Sequence, residues 1–291
     1  MTKGTSAMPL STLSQKAADT FSKNPFKIKP NVNIYIESDQ FLIKSIDSWP
    51  EFISVLQFRN EVFVHEYTDK KKFLGIDIDY YDRTCDHLII KDRKSNRLVG
   101  TYRLRSSKFT NRFYSQTEFD LGKILELDGH KMELGRACIH PDFRTGATIQ
   151  LLWRGIAAYA LATDSRYCFG CSSVKGTDPN AMKLYNQYFS LQGVLSQNYE
   201  VKPMQNGVWD GVMDQEAAKN LRMDPNEIRN IRRSLPNLLT VYLRFGAKIL
   251  GAPVVDHELK CFDYFTLLDL YNMNEVLARK FGVDELCRSR R

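Results

Sequence analysis

Glu133 and Arg136 stand three residues apart in the run MELGRACIHPDFRTG, residues 132–146. A carboxylate can take a proton from an amine, and a guanidinium fork suits a carboxylate or a phosphate. The run reads as a buried strand leading into a Pro-Asp-Phe-Arg-Thr-Gly turn. Arg144, Thr145, Gly146, Ala147 and Thr148 then open a helix. Free backbone N–H groups and the helix dipole favour an anion such as a phosphate there, although an ordinary helix cap would look the same. In a regular strand, residues three apart face opposite sides. Glu133 and Arg136 can serve one site only across a bulge, which Gly135 between them would permit. The alternative is a purely structural ion pair.

The elements that must position these residues follow from hydrophobic spacing. FLIKSI (41–46) reads as a strand. SWPEFISVLQFRNEVFVHEY (48–67) reads as a helix, with Phe52, Val55, Leu56, Val62 and Phe63 at helical spacing. Residues 87–106 form a hairpin about a Ser-Asn turn, and TEFDLGKILEL reads as a short helix with acidic residues in its first turn. After the 132–139 strand come a largely apolar helix (147–163), a strand (166–174) and a helix (177–191) capped by Asp178 with Pro179 behind it. A basic helix (224–235), a further helix, two strands and a terminal helix close the chain. The order predicts mixed α/β around one sheet, not a regular βαβ alternation. Residues 1–35 form a polar N-terminal arm, and 36–291 one domain interrupted by an insertion at about 195–235.

The 291-residue chain carries a net charge of +7, which points to an acidic partner. Nucleic acid has only this charge in its favour, with no recognition motif, and is not expected as a partner. Six cysteines in a chain of this length make no disulfide scaffold, and a reducing cytoplasm is expected. CFGC (168–171) has redox or zinc spacing but lacks a second ligand pair, so no metal is expected. The longest apolar stretch, IQLLWRGIAAYALA, contains Arg154 and is too short to span a bilayer. Membrane contact is therefore expected to be peripheral, on the inner face of the cytoplasmic membrane.

The order of elements, the HPDFR turn and the helix Asp178-x-x-Ala181-x-x-Leu184-Tyr185 resemble the GNAT superfamily of N-acetyltransferases. That family's phosphate turn reads Arg/Gln-x-x-Gly-x-Gly/Ala, whereas RTGATI supplies one glycine. FRNEVFVHEY, DYYDRTCDHLII, RLVGTYRLRSS, FYSQTEFDL, MELGRACIHPDFRTG, LLWRGIAAY, GCSSVKG and LRFGAKILGAPVVDHELKCFDYF more closely resemble the ornithine-lipid type N-acyltransferases. Acyl-homoserine-lactone synthases share a sparser pattern, matched by Arg59 and Phe63, Asp79 and Asp82, Arg103, and Glu133 and Arg136. The Trp those synthases carry after the Phe is absent, Tyr67 being the nearest aromatic, so lactone synthesis is not expected.

The resemblance implies a GNAT-like, mostly antiparallel twisted sheet with splayed central strands. It also implies transfer of a long-chain, 3-hydroxylated or plain, acyl group to the α-amine of an amino acid such as ornithine. The donor would be an acyl-phosphopantetheine thioester on acyl carrier protein or coenzyme A, with no tightly bound cofactor. Glu133 would accept the amine's proton, and Tyr185 would return one to sulfur. Arg59, Phe63, Asp79, Asp82, Arg103 and Arg136 would bind the acceptor. Cys138 and residues 144–148 would hold phosphopantetheine, a backbone N–H near Ala137 or Cys138 meeting the oxyanion. Lys70–Lys72, Arg222, Arg229, Arg232, Arg233 and the RSRR tail would dock an acidic carrier protein or an anionic membrane face. Val208, Trp209, Val212, Met213 and Met223 would roof the acyl chain. Two other readings remain: an acetyl-CoA-dependent N-acetyltransferase, and a non-catalytic binder of acyl chains or carrier.

Overall fold

A computed structural model of the chain describes residues 28–66, 75–204 and 222–288. Tyr67, Lys70–Lys72, Val208, Trp209, Val212, Met213, the end of the RSRR tail and most of the N-terminal arm lie outside the described residues.

Strands β1 (Tyr35–Glu37) and β2 (Phe41–Ser45) precede helix α1 (Trp49–Glu66). Strands β3 (Asp86–Asp92) and β4 (Leu98–Ser106) form the expected hairpin. TEFDLGKILEL is not one helix. It divides into the end of a 3-10 turn (Tyr114–Thr117), a two-residue strand β5 (Phe119–Asp120) and a short helix α2 (Gly122–Glu126). The division follows from burial: Phe119, Leu121 and Ile124 all turn inward, which one short exposed helix could not achieve.

Strand β6 (His130–Ile139), helix α3 (Gly146–Thr163), strand β7 (Ser165–Lys175) and helix α4 (Pro179–Leu191) lie as their patterns predict. Thr145 caps α3, accepting the Thr148 N–H, and Asp178 caps α4, accepting from Asn180. The remaining elements are β8 (Leu195–Ser196), β9 (Lys202–Pro203), α5 (Pro225–Ser234), α6 (Asn237–Phe245), β10 (Lys248–Asp256), β11 (Cys261–Asp269), α7 (Glu275–Phe281) and α8 (Glu285–Arg288). Within the 195–235 stretch, β8 joins the main sheet beside β10, and α5 buries Ile231 against the core.

Among the described residues one sheet runs β1-β2-β3-β4-β6-β7-β11-β10-β8. Neighbours are antiparallel except β6 with β7 and β10 with β8. Helices α3 and α6 bury Leu152, Trp153, Ile156 and Phe245 on one face. Helix α1 and residues 113–127 cover the other, through Phe52, Val55 and Leu56 at one end and Phe113, Phe119 and Ile124 at the opposite end. No helix among the described residues is long and apolar enough to cross a membrane.

The central feature is a fork. The β6–β7 ladder stops at Glu133 opposite Phe169, although the strands continue to Ile139 and Lys175. Backbones press together where it opens: a methyl group at Gly170 would lie 2.2 Å from the Leu134 carbonyl oxygen.

Candidate active site

A cleft of about 170 Å³ opens in the fork and reaches both faces of the sheet. Residues paired across β7 and β11 share a face, which sorts its lining into two ends. One end holds Tyr114, Ser115, Glu118, Glu133, Cys171 and Asp263. The other, beneath α6, is apolar, with Cys168, Leu238, Leu239, Tyr242 and Leu268. The two thiols of CFGC thus point to opposite sides of one strand, which prevents them from sharing a metal.

The bulge required by the Glu133–Arg136 spacing is present. From Thr101 to Arg103, β4 advances two residues, while β6 passes from Cys138 to Gly135. The residue in the left-handed region is Arg136 itself, at φ 50°, rather than Gly135. A non-glycine residue adopts this conformation at some cost, so the surroundings must hold it there. They do so by charge and by rings: Arg136 donates to Asp79 at 3.1 Å, and its guanidinium lies 5.8 Å from the Phe63 ring and 5.4 Å from that of Tyr114. Both Glu133 and Arg136 therefore line the cleft, each with other partners.

Glu133 is 5% exposed. Its Oε1 accepts the Ser115 N–H and hydroxyl, each at 2.7 Å, and its Oε2 accepts the Tyr114 N–H at 2.9 Å. Burial pushes its pKa above the ordinary glutamate value, while these donors pull the other way without overcoming it.

Asp79 and Asp82 organise the arginines. Arg59, on α1, is fully buried and paired to Asp77 at 2.5 Å and to Asp82 at 2.6 Å. Arg103, on β4, reaches Asp79 at 2.6 Å and Asp82 at 3.1 Å. Asp79 and Asp82 also close a capping box over the turn Tyr80–Arg83, fixing both carboxylates. Burial opposes the charge on Asp82, yet Arg59 and Arg103 outweigh it and hold its carboxyl well below the usual range. Arg103, Arg136 and Phe63 line the cleft, while Arg59, Asp79 and Asp82 lie behind them.

Three further sets of residues singled out in the sequence also lie off the cleft lining. Cys138 turns its buried side chain toward Phe58 and Val62 of α1. Tyr185 packs α4 into an apolar cluster, and its hydroxyl meets Ser234 Oγ at 3.1 Å. Arg144, Thr145, Gly146 and Ala147 are exposed at the end of β6, with Thr148 buried behind them and Arg144 paired to Glu66. Conversely, Tyr114, Ser115, Glu118, Asp256 and Asp263 line the cleft without having been singled out. FYSQTEFDL carried three of them as a recognisable motif. LRFGAKILGAPVVDHELKCFDYF carried Asp256 and Asp263, with no separate signal for either.

Residues 58–154 match the family model described as the acetyltransferase (GNAT) domain, which spans α1 to the middle of α3. The chain is 35% identical to the L-ornithine N(alpha)-acyltransferase of Agrobacterium fabrum, over 66% of this chain and 67% of that protein. It is 32% identical to the protein of the same name from Rhizobium meliloti, over 72% and 71% of the two chains. Among solved structures, FeeM, an N-acyl amino acid synthase from uncultured soil microbes, superposes with a TM-score of 0.42 at 10% identity, over 82% of this chain and 92% of that one. The chain is an acyltransferase and belongs to the L-ornithine N(alpha)-acyltransferase family.

Proposed function

We propose that the protein transfers a long-chain acyl group from a phosphopantetheine thioester on acyl carrier protein to the α-amine of ornithine. The observation that carries this reading is the forked cleft, which joins a carboxylate-and-arginine end to an apolar end through one sheet. The relatives are named for ornithine acylation, and an apolar end beneath α6 suits an acyl chain.

The chemistry is amide formation. The acceptor's ammonium loses one proton to Glu133, which burial makes a stronger base than an exposed glutamate. The neutral amine attacks the thioester carbonyl, and a C–N bond forms. Backbone of β6 near Ala137 and Cys138, paired to β4 but past the end of the β7 ladder, receives the oxyanion on its β7 side. The C–S bond then breaks. The second amine proton leaves the nitrogen, and the sulfur takes up one from Tyr114, which recovers it through solvent. Burial and the neighbouring Glu118 push the Tyr114 phenol's pKa up, so the hydroxyl relays a solvent proton to sulfur as it gives up its own and does not persist as phenolate. Tyr114 takes the place of Tyr185 because its side chain reaches the cleft. Arg103 and Arg136, held by Asp79 and Asp82, clamp the acceptor's carboxylate. The α3 N-terminal turn with Arg144 holds the pantetheine phosphate.

The exposed arginines 222, 229, 232 and 233 offer an acidic carrier protein a landing face. The same face suits an anionic membrane surface, where a lipid-like product would leave. The test is reconstitution with ornithine and either acyl carrier protein or coenzyme A as donor, with product identified by mass spectrometry. N-acyl ornithine from the carrier-bound donor is expected. Acetyl transfer from acetyl-CoA without long-chain transfer would defeat the proposal.

A further inference from the structure

Beyond Glu133, the polar end of the cleft carries acids that the chemistry above does not use. Glu118 is 8% exposed and Asp263 3% exposed, and Asp256 stands at the end of β10. All three line the cleft. Asp263 accepts the Ser173 hydroxyl at 2.5 Å and faces the Cys261 thiol at 3.9 Å. Asp256 accepts the N–H groups of Glu258 and Leu259. The Tyr114 hydroxyl and the Cys171 thiol hydrogen-bond the Glu118 carboxylate, while its Oε2 is buried without a well-aligned donor among the described residues. An unmatched carboxylate oxygen in a buried site is costly unless something charged or donating meets it.

The local charge is one-sided. Arg136 acts on both Glu118 and Asp263, and it is already paired to Asp79. Burial first, then repulsion by Asp256, pushes Glu118 up; burial, then repulsion by Glu118 and Asp256, pushes Asp263 up to about 7. A bound cation with several N–H donors would relieve both effects at once.

Position narrows the ligand further. Tyr114 spans the two ends of this polar region: its backbone N–H meets Glu133, and its hydroxyl stands beside Glu118. An amine losing its proton at Glu133 thus has a second carboxylate site about one tyrosine length away, within reach of a short alkyl chain.

We propose that Glu118, Asp263 and Asp256 bind the side-chain ammonium of a dibasic amino acid acceptor and so select it over neutral amino acids. The proposal rests on the acyl-transfer reading and adds the origin of acceptor choice. Three donors of an alkylammonium fit a site with several carboxylate oxygens. A neutral chain of equal length would leave the carboxylates unpaired, the situation in which enzymes discriminate most strongly.

The test compares ornithine with norvaline, its counterpart lacking the distal amine, in the wild type, Glu118→Gln and Asp263→Asn. The wild type is expected to prefer ornithine. Each substitution should cut the ratio of kcat/KM for ornithine to that for norvaline by about tenfold or more, mainly through KM. A ratio unmoved by both substitutions overturns the proposal. Thermal-shift titration of the wild type gives an independent measurement. Stabilisation by ornithine but not by norvaline supports the site, and equal responses oppose it. Stoichiometric binding of manganese or zinc that Glu118→Gln abolishes, with ornithine failing to compete, would assign the acids to a metal instead and also overturn it. If the wild type acylates no amino acid from any donor, the acyl-transfer reading fails. Acylation without a preference for charge removes this inference alone.

Discussion

Gly170 stands against the backbone of Leu134 where β6 and β7 part, and a methyl group there would fall 2.2 Å from the Leu134 carbonyl oxygen. The obstacle is backbone, which cannot swing aside as a side chain tip can. Gly170→Ala must therefore push the strands apart at the last rung of their ladder, Glu133 opposite Phe169. Overpacking of this kind costs about 1–3 kcal/mol. A lowered thermal midpoint together with slowed acyl transfer is expected. An alanine variant as stable as the wild type would mean that the fork yields easily.

Glu133→Gln probes the base directly. The glutamate receives three donors on its two oxygens. A glutamine offers one oxygen and turns its NH₂ group toward an N–H that needs an acceptor. Loss of general-base catalysis predicts a fall in kcat of about 10²–10⁴-fold, and the mismatched donor a loss of about 1–3 kcal/mol in stability. Measuring kcat in parallel with urea unfolding separates the two. A variant that is destabilised yet turns over normally would make Glu133 an anchor for the 114–115 turn and nothing more.

Much of this architecture is legible in the sequence because its signals are local. Phe52, Val55 and Leu56 mark α1 by spacing, Asp178 and Pro179 mark the start of α4, and a shared site for residues 133 and 136 demands the bulge that β6 contains. What is illegible depends on tertiary placement. Tyr185 is the phenol to which the resemblance points, and only the packing of α4 against α5 turns it toward Ser234, leaving Tyr114 at the cleft. Asp263 alternates correctly within β11 as an ordinary polar residue. Its burial beside Glu118, distant in the chain, arises from tertiary packing. Glu118 is misplaced for a related reason: acids near a helix start are common, and burial of the flanking Phe119 is invisible locally.

Asp263 gives a pH signature. Its carboxyl sits near 3.8 when exposed and is raised to about 7 in the folded protein. A raised acid contributes its full stabilising effect below the unfolded value, and that effect is lost as pH climbs through the folded one. Between pH 4 and pH 7 the unfolded chain gives up this proton while the folded protein still holds it. Asp263→Asn removes this dependence. Relative to the wild type, the variant should gain stability from pH 4 to pH 7, by up to a few kcal/mol on the order of 1.4 per pH unit, and level off above. Thermal midpoints across that range measure it. A difference independent of pH would show that Asp263 ionises normally.

The arginines of α5 test how the donor arrives. Helix α5 buries Ile231 inward and leaves Arg229, Arg232 and Arg233 exposed, immediately before the α6 residues Leu238 and Leu239 that line the apolar end of the cleft. A carrier protein seated there would deliver its acyl chain to that end. Attraction between exposed charges is screened over about 8–10 Å at ordinary salt. Activity with carrier-bound donor should therefore fall steeply as salt rises, through KM. Joint substitution Arg229→Glu and Arg232→Glu should raise that KM about tenfold or more and flatten its salt dependence. The KM for a free pantetheine thioester, which needs no protein docking, should stay where it was. Steady-state kinetics between low and moderate salt distinguish these outcomes, and equal loss with both donors would place the arginines in folding rather than in docking.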